Sequence, residues 1–122
     1  MNARQRAASL AIALLGFATT AAAEDGALAY SPSTDEVSSG SSAFFSLREL
    51  QIKTLEGCSA DDCRIVATFR AGQCAAVASS DKSFGVGKGG SQAEAESAAM
   101  ENCSNGGQDT NCHVVGQHCA KE

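Results

Sequence analysis

Tryptophan is absent from this 122-residue chain, proline and tyrosine occur once each, and there are two histidines. Without tryptophan and with only five phenylalanines, few side chains can fill a large core. Basic residues are also scarce, nine against fourteen acidic ones. A chain of that balance is a poor ligand for nucleic acid or an anionic membrane, both of which attract positive surfaces. No apolar run is long enough to cross a bilayer comfortably, since a spanning helix takes about 20 apolar residues. Only two histidines, His113 and His118, leave little material for an imidazole-based metal or acid–base site.

Six cysteines are present, and they organise the chain. Ser46 to Ala75 recurs loosely as Ser91 to Ala120, with Glu49 matching Glu94. In that alignment Cys58, Cys63 and Cys74 match Cys103, Cys112 and Cys119. A repeat carrying every cysteine is an internal duplication. Residues 1–23 read as a signal peptide: Arg4 and Arg6, an apolar stretch from Ala7 to Ala18, then Ala21-Ala22-Ala23. Cleavage is expected between Ala23 and Glu24, giving a single domain of residues 24–122 built from repeats at about 26–73 and 74–120. Losing Arg4 and Arg6 leaves seven basic residues against fourteen acidic, a net charge of about −7.

A small exported domain with a thin core usually relies on cross-links, so the cysteines read as three disulfides. Cys112-His113 and His118-Cys119 offer thiols and imidazoles for a metal, but their spacing matches no common zinc module. We therefore expect no metal and no cofactor. If the duplication exists in space, the pairing must survive exchange of the two cysteine triplets. Among the pairings that do, Cys58–Cys63, Cys103–Cys112 and Cys74–Cys119 are favoured. The first two close short loops, and the third is expected to lock the halves together. A set crossing between the repeats, such as Cys58–Cys112 with Cys63–Cys103, is the rival.

Hydrophobic patterning suggests strand, strand, helix, strand, used twice. Ala75 to Ala78, a Ser-Ser-Asp-Lys turn and Ser83 to Gly87 read as a hairpin. Ser46 with Glu49 and Ser91 with Glu94 fit the capping box at a helix start. Leu47, Leu50, Leu55 and Cys58 form the expected inner side of the first helix, and Ala95, Ala99, Met100 and Cys103 that of the second. Alanine at 95 where the first repeat has Leu50 implies closer packing of the second helix. Gly57 and Asn102 suit the helix ends. The fold class is α+β: one mainly antiparallel sheet, both helices on one face, stapled by disulfides.

The order G-A-L-A-Y-S-P-S-T, C-R-I-V-A-T-F-R-A-G-Q-C-A-A-V-A, then G-V-G-K-G-G-S-Q-A-E-A-E-S-A-A-M-E-N-C resembles the bacterial secreted domain-of-unknown-function family numbered 4189. The resemblance runs from about Gly26 to Cys119. It implies an exported bacterial domain and brings no catalytic residues. One departure is the stretch V-S-S-G-S-S at Val37 to Ser42, which lacks the aromatics of the family's second strand.

No catalytic motif emerges. Gly85 to Ser91 is glycine-rich before a helix, but the residue after Lys88 is glycine, which breaks the phosphate-loop pattern. His113 and His118 would face opposite ways on a regular strand. Asp61, Asp62 and Glu96 are the carboxylates that a small hydrolase would use. The expected function is a non-catalytic, periplasmic or secreted protein-binding or inhibitor-like module. It would be a monomer with a protein partner of unspecified identity and no nucleic acid or membrane contact. The alternatives are that carboxylate hydrolase, or a structural envelope protein without a specific ligand.

Overall fold

A computed structural model of the chain describes residues 23–122, so the proposed signal segment falls outside the described residues except for Ala23. The described chain runs β1 (Asp25–Tyr30), β2 (Val37–Ser42), α1 (Leu47–Glu56), β3 (Arg64–Phe69), β4 (Cys74–Ser79), β5 (Phe84–Gly89), α2 (Gln92–Ser104) and β6 (His113–Cys119). Strand, strand, helix, strand thus occurs twice, in a disulfide-stapled α+β fold. The six strands do not form one sheet. They form two three-stranded antiparallel sheets with the same order, β2-β1-β3 and β5-β4-β6.

The sheets lie face to face, with one helix on the outside of each. This four-layer order replaces the expected single sheet with both helices on one face. The reason lies in the central strands. In β4 one face, Ala75 and Val77, joins Leu28, Tyr30, Ala67 and Phe69 in a core between the sheets. The other face, Cys74, Ala76 and Ala78, packs on Ala95, Ala99 and Cys103 of α2. Every residue of β4 is buried, as are all of β1 after Asp25. A strand buried on both faces needs a layer on each side. Between the sheets, the rings of Tyr30 and Phe84 lie 4.8 Å apart, and Arg64 places its guanidinium 5.6 Å over Phe84.

Both third strands carry a bulge at the same place. The register with β1 skips Val66, and the register with β4 skips Val115. The second bulge reverses the side-chain parity along β6. His118 stands opposite Ala75 and His113 opposite Ser79, so the two histidines share a face instead of opposing each other. They remain at opposite ends of the strand and do not meet. His118 joins the interior: its Nε2 lies 3.0 Å from Ser41 Oγ, across the sheet interface.

The helices begin alike and end differently. Ser46 accepts from the Glu49 amide while Glu49 accepts from the Ser46 amide, a complete capping box. Ser91 also accepts from the Glu94 amide, but Glu94 reaches past it to the Gly90 amide. Gly57 caps α1 as expected. The second helix does not stop at Asn102: it runs to Ser104 and ends on Asn105 with φ 51°. Asn102 instead donates from Nδ2 to the Val86 carbonyl.

The structure joins Cys58 to Cys63, Cys74 to Cys119 and Cys103 to Cys112. The role expected of Cys74–Cys119 needs correction. Its cysteines are directly opposed on neighbouring strands β4 and β6 of one sheet, so it closes the second half on itself and does not lock two halves together. Backbone contacts and the shared core make that connection: the Gly72 amide donates to the Ala120 carbonyl, the Ala120 amide to the Gln73 carbonyl, and the Glu24 amide to the Lys121 carbonyl at 3.1 Å.

Candidate functional site

The two helices meet their sheets at different distances, and this difference creates the most unusual surface of the molecule. In β5, Gly85, Gly87 and Gly89 face α2. A Cβ at Gly85 would lie 2.2 Å from the Cys103 amide nitrogen, and one at Gly87 would lie 2.3 Å from that of Ala99. Helix backbone therefore rests on strand backbone, which only glycine and alanine permit. In β2 the single Gly40 faces side chains, Thr54 Oγ1 at 3.0 Å and Leu50 Cδ1 at 3.5 Å. The first helix stands off on its own side chains.

Only Leu50 and Thr54 of α1 are buried. Leu47 and Leu55, expected on the inner side, are 43% and 36% exposed. Ile52 is 46% exposed, and Phe44 and Phe45, just before the helix, are 90% and 43% exposed. The sheet contact is narrow because β2 turns only Ser38, Gly40 and Ser42 toward the helix, so a wide apolar stripe has nothing to cover. Ser38 donates to the Thr54 carbonyl, a polar seam where the second half has packed alanine. Beside the apolar residues lie Arg48, Glu49, Lys53 and Glu56, with Lys53 and Glu56 at 3.9 Å. Large apolar residues gathered on one exposed face mark interaction surfaces.

Of the carboxylates singled out in the sequence, Asp61 and Asp62 share one loop, and Glu96 lies apart on α2. Asp61 and Asp62 line a shallow depression of about 440 Å³ with Ser33, Thr34 and Ser59. Asp62 accepts from the Ser31 hydroxyl, the Ser33 hydroxyl and the Ser33 amide, and these donors, the Ser31 hydroxyl above all, hold its carboxyl below the usual range. It acts as a tie between the first hairpin turn and the α1–β3 loop. Asp109 is its counterpart, accepting from Ser80 and Ser83, and its pKa is lowered chiefly by Ser80. Glu96 is on α2, half-buried, and accepts from Gln92 Nε2. The glycine run leads into α2 as a joint, its amide at Gly90 held by Glu94.

Sequence reasoning missed the pairing of Asp62 with Ser31 and of Asp109 with Ser80, contacts spanning 31 and 29 residues. The repeat held the signal, since both loops carry an aspartate and both hairpin turns begin with serine. It also missed Tyr30, whose buried phenol donates to Asp35 and is pushed up to about 12, mainly by burial. Glu36, Cys58 and Cys63 converge, but the two sulfurs are bonded to each other and do not act as thiolate ligands.

The fold and its staples define a duplicated, disulfide-bonded α+β domain whose distinctive surface is apolar and carried by the first half. The chain belongs to the family described as domain of unknown function DUF4189, whose profile matches residues 26–119. No curated protein and no solved structure matches the chain.

Proposed function

We propose that this is an exported bacterial protein, cleaved between Ala23 and Glu24, that works without catalysis as a protein-binding or inhibitor-like module. The exposed apolar face of Phe44, Phe45, Leu47, Ile52 and Leu55 carries this reading. Such side chains leave apolar area in water that the fold does not cover. Three disulfides and no free cysteine among the described residues fit an oxidising compartment, the periplasm or the cell exterior. No helix among the described residues is long and apolar enough to cross a membrane.

The test is retention of proteins from periplasmic extract on the immobilised domain, read by mass spectrometry. The wild type is compared with Leu47→Gln/Ile52→Ser. A specific protein held by the wild type and released by the double variant supports the reading. Retention that ignores the substitutions, or none at all, removes it.

A further inference from the structure

We infer that Asn105 is a site of spontaneous covalent modification, at which the side-chain amide closes on the main chain and reopens as aspartate or isoaspartate. Asparagine or aspartate followed by glycine is prone to this closure, because no Cβ shields the glycine nitrogen. The described residues hold two such pairs, Asp25-Gly26 and Asn105-Gly106. The fold protects the first. Gly26 is buried and paired on both sides, with Ser41 of β2 and Phe69 of β3, and a Cβ there would strike the Phe69 ring. The second pair lies open. Asn105 caps α2 and Gly106 follows with φ 75°, both exposed. A Cβ at Gly106 or Gly107 would meet nothing within 4 Å.

Little holds the pair in place. The Asn105 amide donates to the Glu101 carbonyl at 3.2 Å and its Nδ2 to Gln108 Oε1 at 3.3 Å. The Gly106 amide has no hydrogen-bond partner among the described residues, so the attacking nitrogen is free. Asn105 must leave the cap for the ring to close, and helix ends fray readily. Asn102 and Asn111 are internal controls. Asn102 sits inside the helix with Nδ2 on the Val86 carbonyl at 2.6 Å, and each of the two precedes a cysteine of the Cys103–Cys112 bond. In the reaction the Gly106 nitrogen bonds to Asn105 Cγ, the Cγ–Nδ2 bond breaks, and ammonia leaves carrying the proton of the Gly106 amide. Water then opens the imide. Opening at Cγ gives aspartate, and opening at the main-chain carbonyl carbon gives isoaspartate. Either product places a carboxylate at the C-terminal end of α2, where the helix dipole disfavours it and the last turn has no basic residue. Isoaspartate also lengthens the main chain by one carbon inside the loop that Cys103–Cys112 closes.

The test is to hold the oxidised protein in warm, mildly alkaline buffer until a synthetic peptide of the sequence Ser104 to Asp109 has converted. The intact mass should rise by the difference between water and ammonia, and isoelectric focusing should show one negative charge gained. Peptide mapping should place the change at Asn105, with the isoaspartate fraction resistant to a protease that cuts at aspartate. Asn105→Gly keeps the left-handed cap and removes the amide, so its mass should not change. Gly106→Ala should lose most of the product, and circular dichroism verifies that it folds; should the strained alanine unfold it, Asn105→Gly decides. After the same incubation the wild type should melt at a lower temperature and Asn105→Gly at an unchanged one. A folded protein whose mass stays constant while the peptide converts overturns the inference. So does conversion at Asn102 or Asn111 in place of Asn105, or an Asn105→Gly protein that gains mass as the wild type does. Modified and fresh protein melting alike would overturn the effect assigned to the new carboxylate.

Discussion

The two halves use one plan with different tolerances. Each has the same strand order, the same bulge in its third strand and the same aspartate tied to a hairpin serine. They part at the helix. Three glycines in β5 let α2 settle onto strand backbone, and its buried stripe of Ala95, Ala99 and Cys103 closes the contact. One glycine in β2, with serines around it, keeps α1 on Leu50 and Thr54 and leaves five large apolar residues in solvent. The second half is specified by how little fits into it. The first keeps the architecture with room to vary, and its outer face carries large apolar residues that the sheet covers only in part.

The largest test of that contrast is covalent. Replacing Cys74 and Cys119 by alanine opens a loop spanning 45 residues, against 5 for Cys58 and Cys63. Loop entropy alone assigns about 4 kcal/mol to the first and about 2 kcal/mol to the second. Urea unfolding of the two variants should show that order, and equal losses would mean that the halves are not held unequally. Glycine comes next. Gly87→Ala forces a Cβ against helix backbone and should cost about 3 kcal/mol or more. Gly40→Ala meets only the ends of two side chains and should cost about 1 kcal/mol or less. Similar losses at both sites would erase the proposed difference in helix approach.

The smallest test concerns what the halves share. Asp62 and Asp109 have carboxyls held below their ordinary value of 3.8 by hydroxyl and amide donors. Their contribution is complete above that ordinary value and is lost as pH falls through the lower folded values. Stability should therefore fall on acidification below about pH 4. Asp62→Asn and Asp109→Asn should each flatten that acid limb to a similar degree, measured by thermal melts from pH 2 to 7. A change confined to one variant would show that the matching ties are not equivalent.

Much of this was legible in the residues. The duplication announced the repeated unit, and exchange symmetry narrowed the cysteine pairings to a few, among which short loops favoured the set that the structure joins. Alanine at 95 opposite Leu50 announced the closer helix. The layer count was not read, although Ala27-Leu28-Ala29-Tyr30 and Cys74 to Ala78 are continuous apolar runs of the kind buried on both faces. Leu47 and Leu55 were assigned inward because periodicity finds an apolar arc but not how much of it the sheet can cover. The bulges at Val66 and Val115 leave no mark in composition, yet the second decides which way His118 points. As for the site, the serine-rich second strand was visible, but the bare helix face that follows from it depends on packing in three dimensions.

The Cys74–Cys119 bond has a mechanical consequence. It clamps the first residue of β4 to the last of β6, so tension applied to the two termini runs through the sulfur bridge and bypasses everything between. The 45-residue separation would otherwise lengthen to about 150 Å at roughly 3.3–3.6 Å per residue. Under load, the extension available comes almost wholly from the first half, shortened there only by the small Cys58–Cys63 loop. A chain pulled from its ends would yield β1, β2 and α1 to the force while α2 and its glycine bed stay slack inside a closed ring.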